Sequence, residues 1–385
     1  MTINARAWIA GVFEHPRREI RDRSIPQLHA EVALGALADA GLDVADVDGY
    51  LCDSSAGFGA ISMADYLNLR PRYVDSTETG GSSYLVHVGH AAAAIATGRC
   101  QVALITMAGL GRSGRAPSAR SSGSPEAGFE SMWGMSAISG YALAAQRHMF
   151  EFGTTSAQLA EVKVAASLHA QHNPHALLRN PVTVEEVLDS PVISSPLHRL
   201  DCCVVTDGGG AVLVVSPEVA RDLGRRSVKV LGQAEAVKHT GNGRLDLTFT
   251  GAAYTGPEAF AQAGVTPADV DYVSLYDSFT ITVVQTIEDL GFCEKGAGGR
   301  FVLDGALVAP EGRLPFNTDG GGLCNNHPSN RGGMTKIIEA VRQLRGEAHA
   351  AVQVPNCEIA LAHGTGGSIG TRMGSATLIL GREDA

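Results

Sequence analysis

The sequence predicts an α/β fold made by duplication of one unit. Three observations support this prediction: strand and helix patterns alternate along the chain, glycine supplies 46 of the 385 residues, and one segment of the first half recurs in the second. Alternating strands and helices favour parallel strands in a layer covered by helices. A chain of this length also exceeds the usual size of a single core. We therefore expect two halves, 1–227 and 228–385.

The first half opens with strand, helix and strand. A short strand is predicted over Ala5–Phe13, and Ser24 then caps a helix over Ile25–Ala40 that ends at Gly41. A strand over Val47–Cys52 follows. The next predicted elements are a short helix near Ile61–Leu67, a glycine-rich loop at Gly80–Ser83, a helix from Ser83 to Thr97 and a buried strand over Cys100–Thr106.

Residues 109–197 interrupt this alternation. Residues 109–128 are rich in Ser, Gly and Arg and are predicted to form a surface loop, followed by helices over Ser136–Phe152 and Thr155–His172. Asn-Pro pairs at 173–174 and 180–181 end helices. We interpret the segment as a helical and loop insertion that covers a site. A strand region resumes at Asp201–Val215.

The second half repeats a segment of the first. Residues 261–271 match residues 38–48 through a helix end, a glycine turn and the start of a strand, and residues 357–361 match residues 100–104. The duplication places two glycine-rich loops, Gly80–Ser83 and Gly320–His327, at equivalent positions. Because ligands collect where the halves of such folds meet, the two loops should face one another.

Composition excludes several classes of function. A formal charge of −10 gives no basic footprint for a nucleic acid. No apolar run of 18 residues and no N-terminal leader pattern occur, so we expect a cytoplasmic protein that does not enter a membrane. Seven cysteines without CxxC spacing indicate reduced thiols, and we expect no metal site. His87 and His90, one helical turn apart, lack further ligands and are interpreted as structural.

Several motifs together carry a family resemblance. They are Asp201-Cys202-Cys203 with Thr206-Asp207-Gly208-Gly209-Gly210, Tyr276-Asp277-Ser278-Phe279, residues 317–328, residues 339–346, and His363-Gly364-Thr365-Gly366-Gly367. With these the chain resembles the thiolase superfamily over nearly its whole length, and more narrowly the thiolase-like proteins related to sterol-carrier-protein-x. The resemblance implies a duplicated thiolase fold of two βαβαβαββ halves in five layers, αβαβα.

The chain departs from the thiolase catalytic pattern. Thiolases use a nucleophilic Cys at the N-terminus of a buried helix, a Gly-His-Pro histidine, an Asn-Glu-Ala-Phe asparagine and a second, C-terminal Cys. Here the histidine is present as His327, the nucleophile position reads Gly81 beside Ser82 and Ser83, and Tyr276 replaces the asparagine. The C-terminal Cys region reads Ala362-His363-Gly364. Without a thiolate at that helix, a thiolase acyl-enzyme cannot form.

A branch of the resembled family carries Tyr-Asp-x-Phe, as in Tyr276-Asp277-Ser278-Phe279, and cleaves β-hydroxyacyl-CoA thioesters by a retro-aldol route. The resemblance implies such a lyase here, with a bulky, possibly steroid side chain and no cofactor beyond the CoA of the substrate. Tyr276 would take the hydroxyl proton, tuned by Asp277 or His363, and His327 would bind the enolate oxygen. The predicted substrate-binding residues are Gly81, Ser82, Asn326 and Gly366. A second tyrosine of these aldolases is replaced in the loop Asn325-Asn326-His327-Pro328.

Two alternatives remain at this point. The chain could be a β-ketoacyl-CoA thiolase or acyltransferase that uses Cys324 or a serine, or a catalytically silent acyl-CoA-binding subunit. The resemblance also implies a homodimer and a small OB-fold partner with a zinc ribbon. Arg112, Arg115 and Arg120 could meet the phosphates of CoA, although a flexible basic loop explains them equally well.

Overall fold

One sheet of nine strands runs through both halves of the chain. The structure, a computed structural model, describes residues 3–53, 56–114, 132, 136–239, 244–328, 332–369 and 371–383. The strands are β1 (Trp8–Glu14), β2 (Gly49–Cys52), β3 (Tyr73–Asp75), β4 (Val102–Leu110), β5 (Val192–Ser194), β6 (Leu197–His198), β7 (Asp207–Val215), β8 (Val228–Lys238), β9 (Tyr272–Leu275), β10 (Ile359–Ser368) and β11 (Thr371–Gly381). The sheet order is β3-β2-β4-β7-β1-β8-β11-β10-β9, and β5 and β6 form a separate hairpin.

Helices cover both faces of this sheet. They are α1 (Ile25–Ala40), α2 (Ala60–Tyr66), α3 (Ser83–Ala96), α4 (Ala137–Phe152), α5 (Ser156–Ala170), α6 (Val184–Asp189), α7 (Pro217–Asp222), α8 (Ala252–Ala263), α9 (Thr280–Asp289), α10 (Gly298–Phe301) and α11 (Gly333–Arg345). Short 3₁₀ turns occupy Val44–Asp46, Gly80–Ser82, Arg199–Asp201 and Pro267–Asp269, and a π turn occupies Gly321–Asn325.

The helices α3 and α11 form the central layer. They contact each other and also strands of both halves, whereas α1 packs on β1, β4 and β7, and α8 packs on β8 and β11. The order is therefore helix, strand, helix, strand, helix, and the predicted duplicated α/β class is confirmed. The strand layers join through the antiparallel pairing of β1 with β8, where Trp8 lies opposite Lys229 and Ile9 opposite Val228.

The duplication extends to single hydrogen bonds. The strand order β2-β4-β7-β1 in the first half corresponds to β9-β10-β11-β8 in the second. Asp48 accepts hydrogen bonds of 2.8 Å from the two backbone N–H groups that lead into β4. Asp271, its match in the repeat, accepts bonds of 2.8 and 2.9 Å from the two N–H groups that lead into β10. The repeat found in the sequence therefore marks equivalent positions in space.

Local signals in the sequence explain where elements begin and end. Ser24 and Gln27 form a capping box at the start of α1, and Gly41 ends it with φ 72°, as predicted. Gly264 ends α8 with the same φ. Strand β4 runs to Leu110, beyond the predicted end at Thr106, because it stays paired with β7 as far as Leu110 opposite Asp207.

Other predictions about organisation are not decided by this architecture. The boundary between 227 and 228 and the insertion over 109–197 stay predictions; β8 begins at Val228, and α4 to α6 lie within the segment. Arg115 and Arg120 lie outside the described residues. Among the residues that the structure describes, no helix is long and apolar enough to cross a membrane.

Candidate active site

A cavity of about 700 Å³ lies where the two halves meet. Its wall combines glycines, aromatic rings and a histidine, which is the mixture expected where a ligand must approach the backbone closely. The first half contributes Glu78, Thr79, Gly80, Gly81, Ala137, Ile138, Tyr141, Cys202, Cys203 and Val205, and the second contributes Val237, Tyr276, Ser278, Phe279, His327, Thr365, Gly366, Gly367 and Gly374. Gly81 and His327 line this one cavity, as expected from the duplication.

The Tyr276 ring is pressed against Gly81 at the N-terminus of α3. A Cβ added to Gly81 would lie 2.6 Å from the ring carbon Cζ of Tyr276 and would also overlap the carbonyl oxygen of Thr365. Carbon atoms that are not bonded to each other do not approach this closely. Any side chain at residue 81 is therefore excluded while the Tyr276 ring and the Thr365 carbonyl keep their positions.

Tyr276 and His327 form an edge-to-face pair. Their ring centroids are 5.4 Å apart with an interplanar angle of 74°. Burial raises the pKa of Tyr276 well above its ordinary value, and the backbone N–H of Gly332, which hydrogen-bonds the phenol oxygen, offsets this only in part. Burial lowers the pKa of His327 to about 4. At neutral pH the resting site therefore holds a phenol and an uncharged imidazole.

The imidazole of His327 keeps one nitrogen free for a ligand. Its backbone N–H donates to the Thr206 hydroxyl at 2.9 Å, which fixes the start of the side chain. Within the described part of the chain, Nε2 is buried and has no hydrogen-bond partner. A buried nitrogen without a partner is costly unless a ligand or water meets it, so this atom is suited to bind an oxygen in the cavity.

Asp277 points away from the cavity and organises the glycine turn. Its carboxylate accepts backbone N–H groups from Gly322 at 2.8 Å and Leu323 at 3.1 Å, and Lys336 of α11 donates to it at 2.8 Å. Burial alone would raise the pKa of Asp277, but Lys336 and the two N–H groups outweigh it and lower the pKa. Asp277 is therefore placed to position the turn that carries His327.

The two serines beside Gly81 are occupied by local hydrogen bonds. Ser82 donates to the Thr79 carbonyl at 2.8 Å, and Ser83 donates to the Gly80 carbonyl at 2.8 Å. Both side chains are buried and neither lines the cavity. His87 contacts the carbonyl of Thr77 instead of a serine. The geometry gives these hydroxyls a structural part at the start of α3.

Two further predicted residues are also turned away from the cavity. Asn326 accepts from the Thr206 hydroxyl at 2.7 Å and donates to Glu14 at 3.0 Å. His363 lies in β10, where Nδ1 is 2.9 Å from the Thr377 hydroxyl, and burial lowers its pKa to about 3. Gly366, by contrast, lines the cavity. Of the predicted site residues, the cavity thus brings together Tyr276, His327, Gly81 and Gly366.

The cysteines do not offer a ready nucleophile. Cys324 is buried outside the cavity lining, and its thiol lies 3.2 Å from the ammonium of Lys163. Cys202 and Cys203 do line the cavity, and burial raises the pKa of both thiols. A raised pKa suppresses the thiolate that an acyl transfer would need.

Tyr141 is a cavity residue with a polar group that sequence reasoning missed. It belongs to α4, in the segment expected to cover a site, and its ring stacks on Phe279 with centroids 4.2 Å apart. The sequence offers one signal for Tyr141: its segment is predicted to cover a site, and helices that cover a site place side chains in it. Arg112, proposed for CoA phosphates, instead pairs with Glu19 at 3.4 Å on the surface.

Comparison with known proteins decides the family. Residues 232–382 match the family described as thiolase C-terminal domain-like. Over 374 residues, 94% of this chain and 97% of the relative, the sequence is 34% identical to an acetyl-CoA acetyltransferase of Methanothermobacter thermautotrophicus. The chain belongs to the thiolase superfamily.

Other members of the thiolase superfamily resemble the chain equally well. A 17-hydroxy-3-oxo-4-pregnene-20-carboxyl-CoA lyase of Mycobacterium tuberculosis is 35% identical over 370 residues, which is 89% of this chain and 92% of the relative. The solved structure of an Ltp2-ChsH2(DUF35) aldolase matches with a TM-score of 0.89 and 32% identity, over 99% of each chain. The chain thus stands among superfamily members named as lyases and aldolases as well as among acyltransferases.

No metal centre is found among the residues that the structure describes. Across the described ranges, no group of three or more His, Cys, Asp or Glu side chains is arranged to hold a metal ion. His90 is instead bonded to Asp75 at 2.5 Å and to Glu235 at 3.1 Å, a link between the two halves.

Proposed function

We propose that this thiolase-superfamily protein is a carbon–carbon lyase that cleaves a β-hydroxyacyl-CoA by a retro-aldol reaction. One observation carries the proposal: the Tyr276 ring, together with the Thr365 carbonyl, occupies the space that a nucleophilic side chain at residue 81 would need. The site therefore favours a reaction without a covalent acyl-enzyme. A retro-aldol cleavage is such a reaction, and relatives named as lyase and aldolase support the same choice.

The reaction consumes no net proton, because one proton leaves the β-hydroxyl group and one is added at Cα. A base removes the proton of the β-hydroxyl group, and the oxygen electron pair forms the new carbonyl bond. The Cα–Cβ bond breaks, and its electron pair becomes the enolate of the shortened thioester. A proton added to Cα then gives the acyl-CoA product, beside an aldehyde or a ketone. The protein must supply a proton acceptor near Cβ and donors for the enolate oxygen.

Tyr276 is our choice for the proton acceptor. Its phenol lines the cavity between the N-terminus of α3 and His327. Because burial raises its pKa, the phenolate is a minor form at neutral pH, and the same residue in its phenol form is a proton donor for the reverse, aldol direction. The rate of cleavage then depends on pH through the phenolate fraction, whereas the equilibrium between the two directions does not, because no net proton is consumed.

We assign to His327 the binding of the enolate oxygen. The uncharged imidazole, in the tautomer with a proton on Nε2, offers a hydrogen bond without carrying a charge of its own. The N-terminus of α3, which borders the cavity at Gly81, adds a partial positive charge on the same side. Negative charge that develops on the thioester oxygen is stabilised by both.

The acyl side chain is proposed to be bulky and steroid-like. A volume of about 700 Å³ is in the range of small-molecule pockets, and Ala137, Ile138 and Val237 give part of the wall an apolar surface. The pregnene-carboxyl-CoA lyase among the relatives acts, by its name, on a CoA thioester with a hydroxylated steroid skeleton. We propose a substrate of the same class, handled in the cytoplasm.

A second subunit is part of the proposal. The aldolase structure that matches this chain contains Ltp2 together with ChsH2(DUF35). We propose that the present chain forms a homodimer and associates with a small OB-fold protein that carries a zinc ribbon. Co-expression with a DUF35-type protein, followed by gel filtration with light scattering, tests this: a complex of both chains supports it, and separate elution contradicts it.

The decisive experiment supplies β-hydroxyacyl-CoA thioesters without free CoA. We expect an aldehyde or ketone together with the shortened acyl-CoA, detected by mass spectrometry, from the purified chain with and without the partner. A thiolase or acyltransferase would need added CoA and would label with iodoacetamide at an active thiol. Tight acyl-CoA binding without turnover in the assembled complex would instead identify a silent binding subunit.

A further inference from the structure

We propose that Tyr141 recognises the β-oxygen of the substrate by a hydrogen bond and so selects hydroxylated acyl-CoA thioesters over deoxy ones. This inference rests on the proposed lyase function, because it assigns a partner to the hydroxyl group that the lyase must hold. It gives the helix α4 a part in specificity.

Tyr141 stands on the face of α4 that looks into the cavity. Ala137, Ile138 and Tyr141 line the cavity together and lie on one side of the helix, as residues three and four positions apart do. Their side chains make an apolar wall with one hydroxyl group in it. A ligand that presents hydrocarbon to this wall meets a single polar atom there, at Tyr141.

The Tyr141 ring is held rigidly. It is buried and stacks on Phe279 at a centroid distance of 4.2 Å and an interplanar angle of 30°. Stacked aromatic pairs of this kind restrict a side chain to one orientation. The hydroxyl group therefore has a fixed position in the cavity wall, which is a requirement for discrimination between ligands.

The Tyr141 hydroxyl has a proton to offer. The Ser278 side chain acts on it and lowers its pKa slightly, and the Ser278 hydroxyl lies 3.2 Å from that of Thr282. Burial raises the pKa of Tyr141 to about 12, so the phenol keeps its proton at neutral pH. Two hydroxyl groups can hydrogen-bond in either direction, and with Ser278 as the donor the Tyr141 phenol can give its own proton to a ligand oxygen.

The motif Tyr276-Asp277-Ser278-Phe279 contacts Tyr141 through Phe279 and also contains Tyr276, the proposed proton acceptor. Tyr276, Ser278 and Phe279 all line the cavity together with Tyr141, and Phe279 stacks on the Tyr141 ring. A β-hydroxyl group placed for proton transfer to Tyr276 therefore lies on the same side of the cavity as Tyr141. The donor at Tyr141 can follow the oxygen as it changes from hydroxyl to carbonyl; no proton transfer is assigned to it.

A binding experiment separates this inference from the lyase proposal. In the Tyr276→Phe background, which is expected not to cleave, calorimetry compares one β-hydroxyacyl-CoA with its 3-deoxy analogue. We expect the hydroxylated ligand to bind about 10-fold more tightly, the size of one hydrogen bond. Adding Tyr141→Phe should abolish that preference while the affinity for the deoxy analogue stays within twofold, because the stacked ring remains.

The controls decide whether the effect is structural. Ser278→Ala removes the support of the Tyr141 hydroxyl and should reduce the preference only in part, whereas Thr377→Val, away from the cavity, should leave it unchanged. An equal preference for the hydroxylated ligand with and without the Tyr141 hydroxyl would overturn the inference. Absence of cleavage by the unmodified protein would overturn the lyase proposal but leave this binding result readable.

Discussion

Gly81 and Tyr276 occupy adjoining space so closely that Gly81 cannot carry a side chain while the Tyr276 ring stays in place. A Cβ on Gly81 would fall 2.6 Å from Cζ of the tyrosine ring. In the thiolase pattern, a cysteine stands at the first position and an asparagine at the second. The glycine and the tyrosine are therefore one coupled exchange, which replaces a nucleophile with a phenol.

Restoring cysteine at residue 81 should not restore thiolase chemistry. We expect Gly81→Cys to displace the Tyr276 ring, to lower the free energy of unfolding by about 1–3 kcal/mol through overpacking, and to abolish cleavage. Denaturant unfolding and the cleavage assay measure both effects. The double variant Gly81→Cys/Tyr276→Asn should recover part of the lost stability, because the Thr365 carbonyl still crowds residue 81, and should label with iodoacetamide. Equal instability of the single and double variants would show that the ring is not the obstacle.

The cleavage rate should rise with pH if Tyr276 accepts the hydroxyl proton. Burial raises the pKa of Tyr276 above its ordinary value, so the phenolate fraction grows about tenfold per pH unit throughout the range below that pKa. We expect kcat/KM for cleavage to increase up to pH 9 without a plateau. In Tyr276→Phe the rate should fall by a factor of about 10²–10⁴ and lose this slope. A plateau already reached at pH 6 would assign the proton to His327, whose pKa is about 4.

Loss of His327 should slow cleavage more than it weakens binding. Removing a donor to a developing oxyanion costs a factor of about 10²–10³ in kcat, and we expect this for His327→Ala with little change in KM. His363→Ala is the matched control, since His363 is buried but does not line the cavity. A loss of kcat with His363→Ala as large as that with His327→Ala, in a protein of unchanged stability, would restore the tuning role predicted for His363.

Lys336→Met should destabilise the protein because it leaves the Asp277 carboxylate buried without its cation. The expected loss is about 3–5 kcal/mol in the free energy of unfolding at pH 7. In this variant burial would raise the pKa of Asp277, so the variant should gain stability as pH falls and the carboxyl group becomes neutral. The double variant Asp277→Asn/Lys336→Met should regain most of the stability. No difference between the single and double variants would contradict this account.

Much of the fold follows from the sequence because its signals are local. Ser24 and Gly41 mark the two ends of α1, and the match of residues 38–48 with 261–271 reveals the repeat that the sheet order displays. Strand limits were less accurate. The end of β4 depends on how far β7 stays beside it, and that is a property of the partner strand.

The site was predicted in part. His327 and Tyr276 carry recognisable neighbours in the chain, and both line the cavity. The directions of Asp277 and Asn326 could not be read from the motif, since they depend on Lys336 and Glu14, which are distant in sequence. Tyr141 has no motif of its own. Its place is set by the packing of α4 on Phe279, which only the folded chain reveals.

The equivalence of Asp48 and Asp271 has an evolutionary consequence. Both carboxylates accept hydrogen bonds from backbone N–H groups at the start of equivalent strands, β4 and β10. The two halves have therefore kept the same frame of strands down to individual hydrogen bonds. Gly81 and Tyr276, which we propose favour cleavage over acyl transfer, lie beyond the ends of the strands of that frame. Proteins that share this scaffold can therefore change their chemistry by a few linked substitutions, while their sheet keeps the equivalent strands of the two halves.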